Sequence, residues 1–126
     1  MARVTQVTDA EKLVSRGGLS ARVLRRLEEY IEVRLAEPIS LQDLCSVAGL
    51  SKRHFLRAFQ MSTGTTPHRH LLDLRIEDAK RRLIGSDEDL TAIASASGFS
   101  HSQHFSTTFR RATGMTPSAF RRSRLS

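Results

Sequence analysis

Residues 39–67 read ISLQDLCSVAGLSKRHFLRAFQMSTGTTP, and residues 88–117 read EDLTAIASASGFSHSQHFSTTFRRATGMTP. The second stretch repeats the first. Leu41, Ser46, Gly49 and Ser51 match Leu90, Ser95, Gly98 and Ser100 at an offset of 49. His54, Phe55, Phe59, Thr63, Gly64, Thr66 and Pro67 match His104, Phe105, Phe109, Thr113, Gly114, Thr116 and Pro117 at an offset of 50. Coincidence at so many positions identifies an internal duplication. The one-residue shift falls between Ser51 and His54. The spacing places it at the first turn of a helix, where an insertion alters the start and leaves the Phe stripe intact.

Each copy has the pattern helix, glycine turn, helix. In the first, Ser40 caps a short helix in a near capping-box arrangement with Asp43, and Leu41, Leu44 and Val47 form its apolar stripe up to Gly49. Ser51 caps the next helix, in which Phe55, Ala58, Phe59 and Ser62 share one face, and Gly64 ends it. In the second copy Asp89 caps the stripe Leu90, Ile93 and Ala96 before Gly98. Ser100 caps a helix with Phe105, Thr108, Phe109 and Ala112 inward, up to Gly114. Cys45 and Ala94 each stand four positions before the glycine, where two crossing helices need a small side chain. Cys45 is accordingly a packing residue, not a nucleophile.

Outward from the repeats, Ser20 caps a helix with Leu24, Leu27, Ile31 and Leu35 on one face, closed by Pro38. Thr66-Pro67 starts a longer helix in which Leu72, Ile76, Ala79 and Leu83 continue to Gly85. Pairs Glu77 to Arg81 and Asp78 to Arg82 support its exposed face. At about 18 residues it should run roughly 27 Å and serve as a strut. Thr116-Pro117 opens a short last helix. The expected architecture is all-α, a seven-helix double helix-turn-helix of homeodomain-like kind. Residues 1–19 form a leader or linker ending in Gly17-Gly18, 20–66 the first subdomain, 67–84 the connecting helix and 85–126 the second subdomain.

Composition narrows the function. The 126 residues carry 20 Lys and Arg against 13 Asp and Glu, a formal charge of +7 that attracts polyanions, nucleic acid foremost. One cysteine permits no intramolecular disulfide and points to the cytoplasm. No apolar run is long enough to span a membrane, and the start is not signal-like. With six Phe, one Tyr and no Trp, a stacking platform for single strands has few candidates. No phosphate-binding glycine loop, nucleophile elbow or Cys/His dyad appears, so neither catalytic residues nor a cofactor are expected. Among five histidines, His101 and His104 can share a helix face. His68 and His70 point apart, and nothing completes a metal set.

If Phe55, Ala58 and Phe59 face the core, Arg53, Leu56, Arg57 and Gln60 form the opposite face, suited to base edges in a major groove. Gln103, Ser106, Thr107 and Arg110 occupy the same places in the second copy, with His101 and Ser102 at the helix start. Arginine donates bidentately to guanine, Gln suits adenine, and Leu56 can touch a thymine methyl, so the first helix should discriminate more sharply. Lys52, Arg69, Arg75, Arg111, Arg121 and Arg122, with the helix starts at Ser40, Ser51 and Ser100, are the expected phosphate contacts.

Residues 20–122 resemble the DNA-binding domain of the AraC/XylS family of bacterial transcription regulators. The resemblance rests on Ile39-Ser40-Leu41-Gln42-Asp43-Leu44 running to Gly49-Leu50-Ser51. It rests too on Gly98-Phe99-Ser100 through Phe105, Phe109 and Gly114-Met115-Thr116-Pro117. It implies two subdomains joined by the 67–84 helix, with reading helices in successive major grooves of a double-stranded operator. It also implies regulation of transcription through RNA polymerase, in a bacterial cytoplasm at the nucleoid. Members usually carry an effector-binding or dimerising domain. None fits in the 18 residues before Leu19, so this is a stand-alone member or part of a longer chain with that domain upstream. Two positions depart from the family pattern: His104 stands where an aromatic or apolar residue is common, and Thr107 where many members have a longer polar side chain. A protein-interaction module for an acidic partner is the alternative reading.

Overall fold

The computed structural model describes residues 17–125. Among them are seven helices and no strand: α1 (Ala21–Val33), α2 (Leu41–Ala48), α3 (Lys52–Thr63), α4 (Pro67–Gly85), α5 (Leu90–Ala96), α6 (Ser102–Thr113) and α7 (Pro117–Leu125). They divide into two compact units. One takes in the described residues up to Arg34 with Ile39–His70, the other Leu35–Pro38 with the residues from Leu71 on. The division falls inside α4, whose first turn belongs to the first unit. Most of the leader expected over 1–19 lies outside the described residues.

In the first unit, α1 starts where Ser20 Oγ accepts the Val23 N–H, and it buries Leu27 and Ile31 with Leu24 half-buried beside them. The helix stops at Val33, short of the expected Leu35. Arg34 closes it, its N–H donating to the Tyr30 and Ile31 carbonyls and its guanidinium lying 4.3 Å from the Tyr30 ring centroid. The chain must leave the helix before Pro38, which excludes helical backbone at Glu37. α2 begins with a full capping box: Asp43 N–H donates to Ser40 Oγ at 3.0 Å, and Ser40 N–H to Asp43 Oδ2 at 2.9 Å. The Ser40 backbone N–H, and then its hydroxyl, hold the Asp43 carboxyl below its ordinary range.

Leu44 and Cys45 are buried, and α2 ends on Gly49 at φ 70°, whose N–H reaches Cys45 O at 2.8 Å. α3 buries Phe55, Ala58 and Phe59, as their spacing requires. Leu19, placed by sequence in the leader, is also buried here, and its N–H donates to Ser62 Oγ at 2.6 Å.

The second unit has a continuous core of Ile76, Ala79, Leu83, Ile93, Ala94, Phe99, Phe105, Phe109 and Phe120, with rings meeting edge-on or tilted at 5.1 to 5.7 Å. Phe109, fully buried, touches both Phe105 and Phe120. Ala112, expected inward, is exposed. The exposed ion pairs on α4 also differ from expectation. Arg82 meets Asp78 at 2.8 Å, but Arg81 turns to Asp78 and Glu77 to Lys80, each at i,i+3. Both spacings are neighbours on a helix, and Asp78 is the less exposed anion. Asp78 Oδ2 also accepts from Ser97 Oγ at 3.2 Å, which satisfies the one fully buried polar side chain among the described residues.

Compared separately, the two units share one plan. The stripe Leu24, Leu27, Ile31 of α1 recurs as Ile76, Ala79, Leu83 of α4, at an offset of 52 rather than 49. The difference lies in the connectors, seven residues (34–40) in one case and four (86–89) in the other. α4 is therefore the first helix of the second unit as well as a connection.

The inserted residue sits elsewhere than expected. α3 and α6 are both twelve residues long and correspond at an offset of 50 from their first residue. The extra residue lies in the turn before α6, not in its first helical turn. As a result the cap of α6 is His101, which makes no side-chain capping bond, and Ser100 is not the cap the sequence suggested. A turn residue can be added without rotating the buried face, whereas one inside the helix would turn Phe105 and Phe109 by about 100°.

Candidate nucleic-acid interface

On α3 the burial of Phe55, Ala58 and Phe59 fixes the helix rotation and leaves Arg53, Leu56, Arg57 and Gln60 exposed together. Leu56 is 37% accessible, an apolar side chain held in solvent amid cations. Lys52 and Ser51 are exposed at the start of the helix, where Ser51 Oγ accepts the His54 N–H at 3.3 Å.

On α6 Ser102, Gln103, Thr107 and Arg110 are exposed and Ser106 is half-buried. Gln103 Nε2 donates to Thr107 Oγ1 at 3.4 Å, so two of the expected reading positions touch. Neither α3 nor α6 contains a carboxylate, whereas α1 carries Glu28, Glu29 and Glu32 and α4 carries Asp73, Glu77 and Asp78. The short α5 and α7 also lack carboxylates, but α3 and α6 are the ones whose exposed polar faces were singled out by periodicity, and no anionic side chain on either helix would oppose a polyanion.

The expected phosphate contacts separate into groups. Lys52 and Arg111 are exposed on α3 and α6, and Arg69 and Arg122 are exposed on α4 and α7. Ser100 is exposed in the turn before α6. Ser40 is occupied by its own capping box, with the Asp43 carboxylate at the helix start where an anion would otherwise sit.

Arg75 and Arg121 are placed differently from the sequence expectation. Arg75 donates from Nη2 to Glu37 O at 2.9 Å and from Nε to Leu35 O at 3.3 Å, and burial pulls its pKa below the usual guanidinium value. Arg121 donates from Nε to Leu83 O at 2.9 Å, from Nη1 to Glu88 O at 2.8 Å and from Nη2 to Ser86 O at 3.0 Å. Arg75 binds two carbonyls of the 34–40 connector, and Arg121 binds two of the 86–89 connector together with Leu83 O in the last turn of α4, where helix carbonyls lack intrahelical donors. They brace the backbone, and the donors so engaged are taken up by carbonyls. In the sequence they are two helical arginines, one on α4 and one on α7, and only the connector geometry engages them.

Among the described residues no group of three His, Cys, Asp or Glu is placed to hold a metal ion, and no helix is long and apolar enough to cross a membrane.

The pair of units has counterparts among known proteins. A helix-turn-helix domain family model matches residues 44–123. The AraC-type transcriptional regulator from Chromobacterium violaceum superposes with a TM-score of 0.75 at 32% identity, over 82% of this chain and 92% of that one. The chain belongs to the AraC/XylS family. Another solved structure, the DNA-binding domain of the global transcriptional factor AdpA in complex with a target DNA, matches with a TM-score of 0.76 at 30% identity, over 79% of this chain and 90% of that one. The transcriptional activator RhaS of Escherichia fergusonii is 39% identical over 101 residues, 80% of this chain and 36% of RhaS. The MmsAB operon regulatory protein of Pseudomonas aeruginosa is 36% identical over 95 residues, 75% of this chain and 31% of that protein. This AraC/XylS chain therefore spans under two fifths of the length of these curated relatives.

Proposed function

We propose that this chain reads operator DNA in a sequence-specific way and thereby regulates transcription. In this reading α3 and α6 each enter a major groove, the successive grooves expected of the family. The observation that carries the proposal is the pair of carboxylate-free helices, each rotated by a buried Phe pair so that its polar face is exposed. Arg53, Leu56, Arg57 and Gln60 read bases in one groove, and Ser102, Gln103, Ser106, Thr107 and Arg110 in the other. Lys52, Ser51, Arg69, Ser100, Arg111 and Arg122 hold the backbone. The solved AdpA domain, bound to its target DNA, supports the same use of the fold. Work at the nucleoid in a bacterial cytoplasm, contact with RNA polymerase, and control by an effector-binding domain in a longer chain belong to the same proposal.

Selection from a randomised duplex pool, followed by sequencing of the retained DNA, tests the reading. An enriched motif with two separated conserved blocks is expected. No enrichment over random DNA, with retention of an acidic protein partner instead, would overturn it in favour of an interaction module.

A further inference from the structure

We infer that His54 is a further DNA-binding residue, a phosphate contact from the flank of α3, and that His104 holds the matching position on α6. The inference rests on the DNA-reading proposal and adds residues that neither the base-reading nor the phosphate set contains. At 100° per residue, His54 lies roughly a quarter turn to one side of the Arg53, Leu56, Arg57, Gln60 face, and Lys52 roughly a quarter turn to the other. A helix seated in a major groove turns its base-reading face to the floor and its two flanks to the phosphate backbones that form the walls. Lys52 faces one wall and His54 the other. Both are exposed.

The imidazole is already held for that task. Ser51 Oγ accepts the His54 backbone N–H at 3.3 Å and stands 3.0 Å from His54 Nδ1. In the tautomer in which the Ser51 hydroxyl donates to Nδ1, the ring proton sits on Nε2, and a phosphate oxygen at that edge selects this tautomer. His54 in that tautomer presents an Nε2–H donor to the phosphate, with the ring orientation set by the Ser51 contact. A contact whose side chain is held beforehand loses less rotamer freedom on binding. His104 stands fifty residues on, exposed and edge-on to Phe99 at 5.6 Å. Its Nδ1 is engaged as well, but by Thr108 Oγ1 at the longer distance of 3.5 Å. The same atom is occupied in both copies and Nε2 is the outer one in both, with His54 the better held.

The test uses duplexes carrying the selected motif, with single phosphates replaced one at a time by neutral methylphosphonates. His54→Ala is expected to weaken binding about tenfold, as loss of one hydrogen bond to a charged acceptor does, and His104→Ala less. His54→Gln, whose amide nitrogen can reach the place of Nε2, is expected to recover most of the loss. At one phosphate the substitution and His54→Ala should be non-additive: the methylphosphonate weakens the parent protein and leaves the variant nearly unaffected. Base preference should not change. Additive losses at every phosphate, an altered base preference, or unchanged affinity in His54→Ala would each overturn the inference and leave the reading of DNA standing. A pool with no enriched motif would overturn both.

Discussion

The arginines of this chain show how little a residue type says before its surroundings are known. Arg57 and Arg121 have the same planar set of donors, yet one stands exposed on the proposed reading face and the other is spread over the carbonyls of Leu83, Ser86 and Glu88. Their substitutions should part accordingly. Arg57→Ala should leave thermal melting unchanged, cost about 1–3 kcal/mol in binding the selected duplex, and relax preference at one base pair. Arg121→Ala should lower melting by about 1–3 kcal/mol of stability, because three carbonyls lose a charged donor. Its loss of affinity should fall evenly on all sequences. Melting curves and binding to single-base variants of the duplex check both. A uniform loss for Arg57→Ala would move that residue to the phosphate contacts. Arg57 was legible from spacing alone, since its rotation follows from the Phe residues of its own helix. Arg75 and Arg121 were not, because the atoms that claim them are backbone carbonyls dozens of positions away.

Among elements, the two glycine turns look alike in sequence and differ in consequence. Gly49 and Gly98 both take positive φ, 70° and 93°, to redirect the chain between the helices of a pair. A Cβ at Gly49 would meet nothing within 4 Å, whereas one at Gly98 would overlap the Leu35 carbonyl oxygen and come within 2.5 Å of Arg75 Nε. Gly49→Ala should therefore cost about 1–2 kcal/mol, the left-handed strain alone. Gly98→Ala adds a clash with a backbone atom and with the braced Arg75, and should cost clearly more, about 3 kcal/mol. Chemical denaturation of the two variants checks the order, and equal losses would show that the 35–38 connector moves aside freely.

The caps of the reading helices diverge for a related reason. Ser51 caps α3, but an added residue in the second turn puts His101 at that place. Aligning the serines of the repeat suggested a second serine cap. The register of the Phe core is what decides where the helix starts.

For the molecule as a whole, stability rests on a Phe-centred core in each unit, and the proposed function on a positive charge that is unevenly shared among the helices. Phe59 is buried in the first unit and Phe109 in the second. Phe59→Ala and Phe109→Ala should each destabilise the protein by about 3–5 kcal/mol by opening a cavity. Calorimetric melting measures this, and an unchanged transition for either would mean that the helix carrying it is rotated from the orientation described. The sequence by itself determined the all-α class, the duplication, the order of the helices and the rotation of α3 and α6. All of these follow from local caps and a 3.6-residue period that a helix expresses without reference to the rest of the chain. Only the tertiary structure decided that α4 doubles as the first helix of the second unit, that Leu19 is core, and that the inserted residue belongs to the turn before α6. It alone engaged Arg75 and Arg121 with connector carbonyls. These features depend on which distant atoms come within hydrogen-bonding or van der Waals reach, and no periodicity along the chain encodes that proximity.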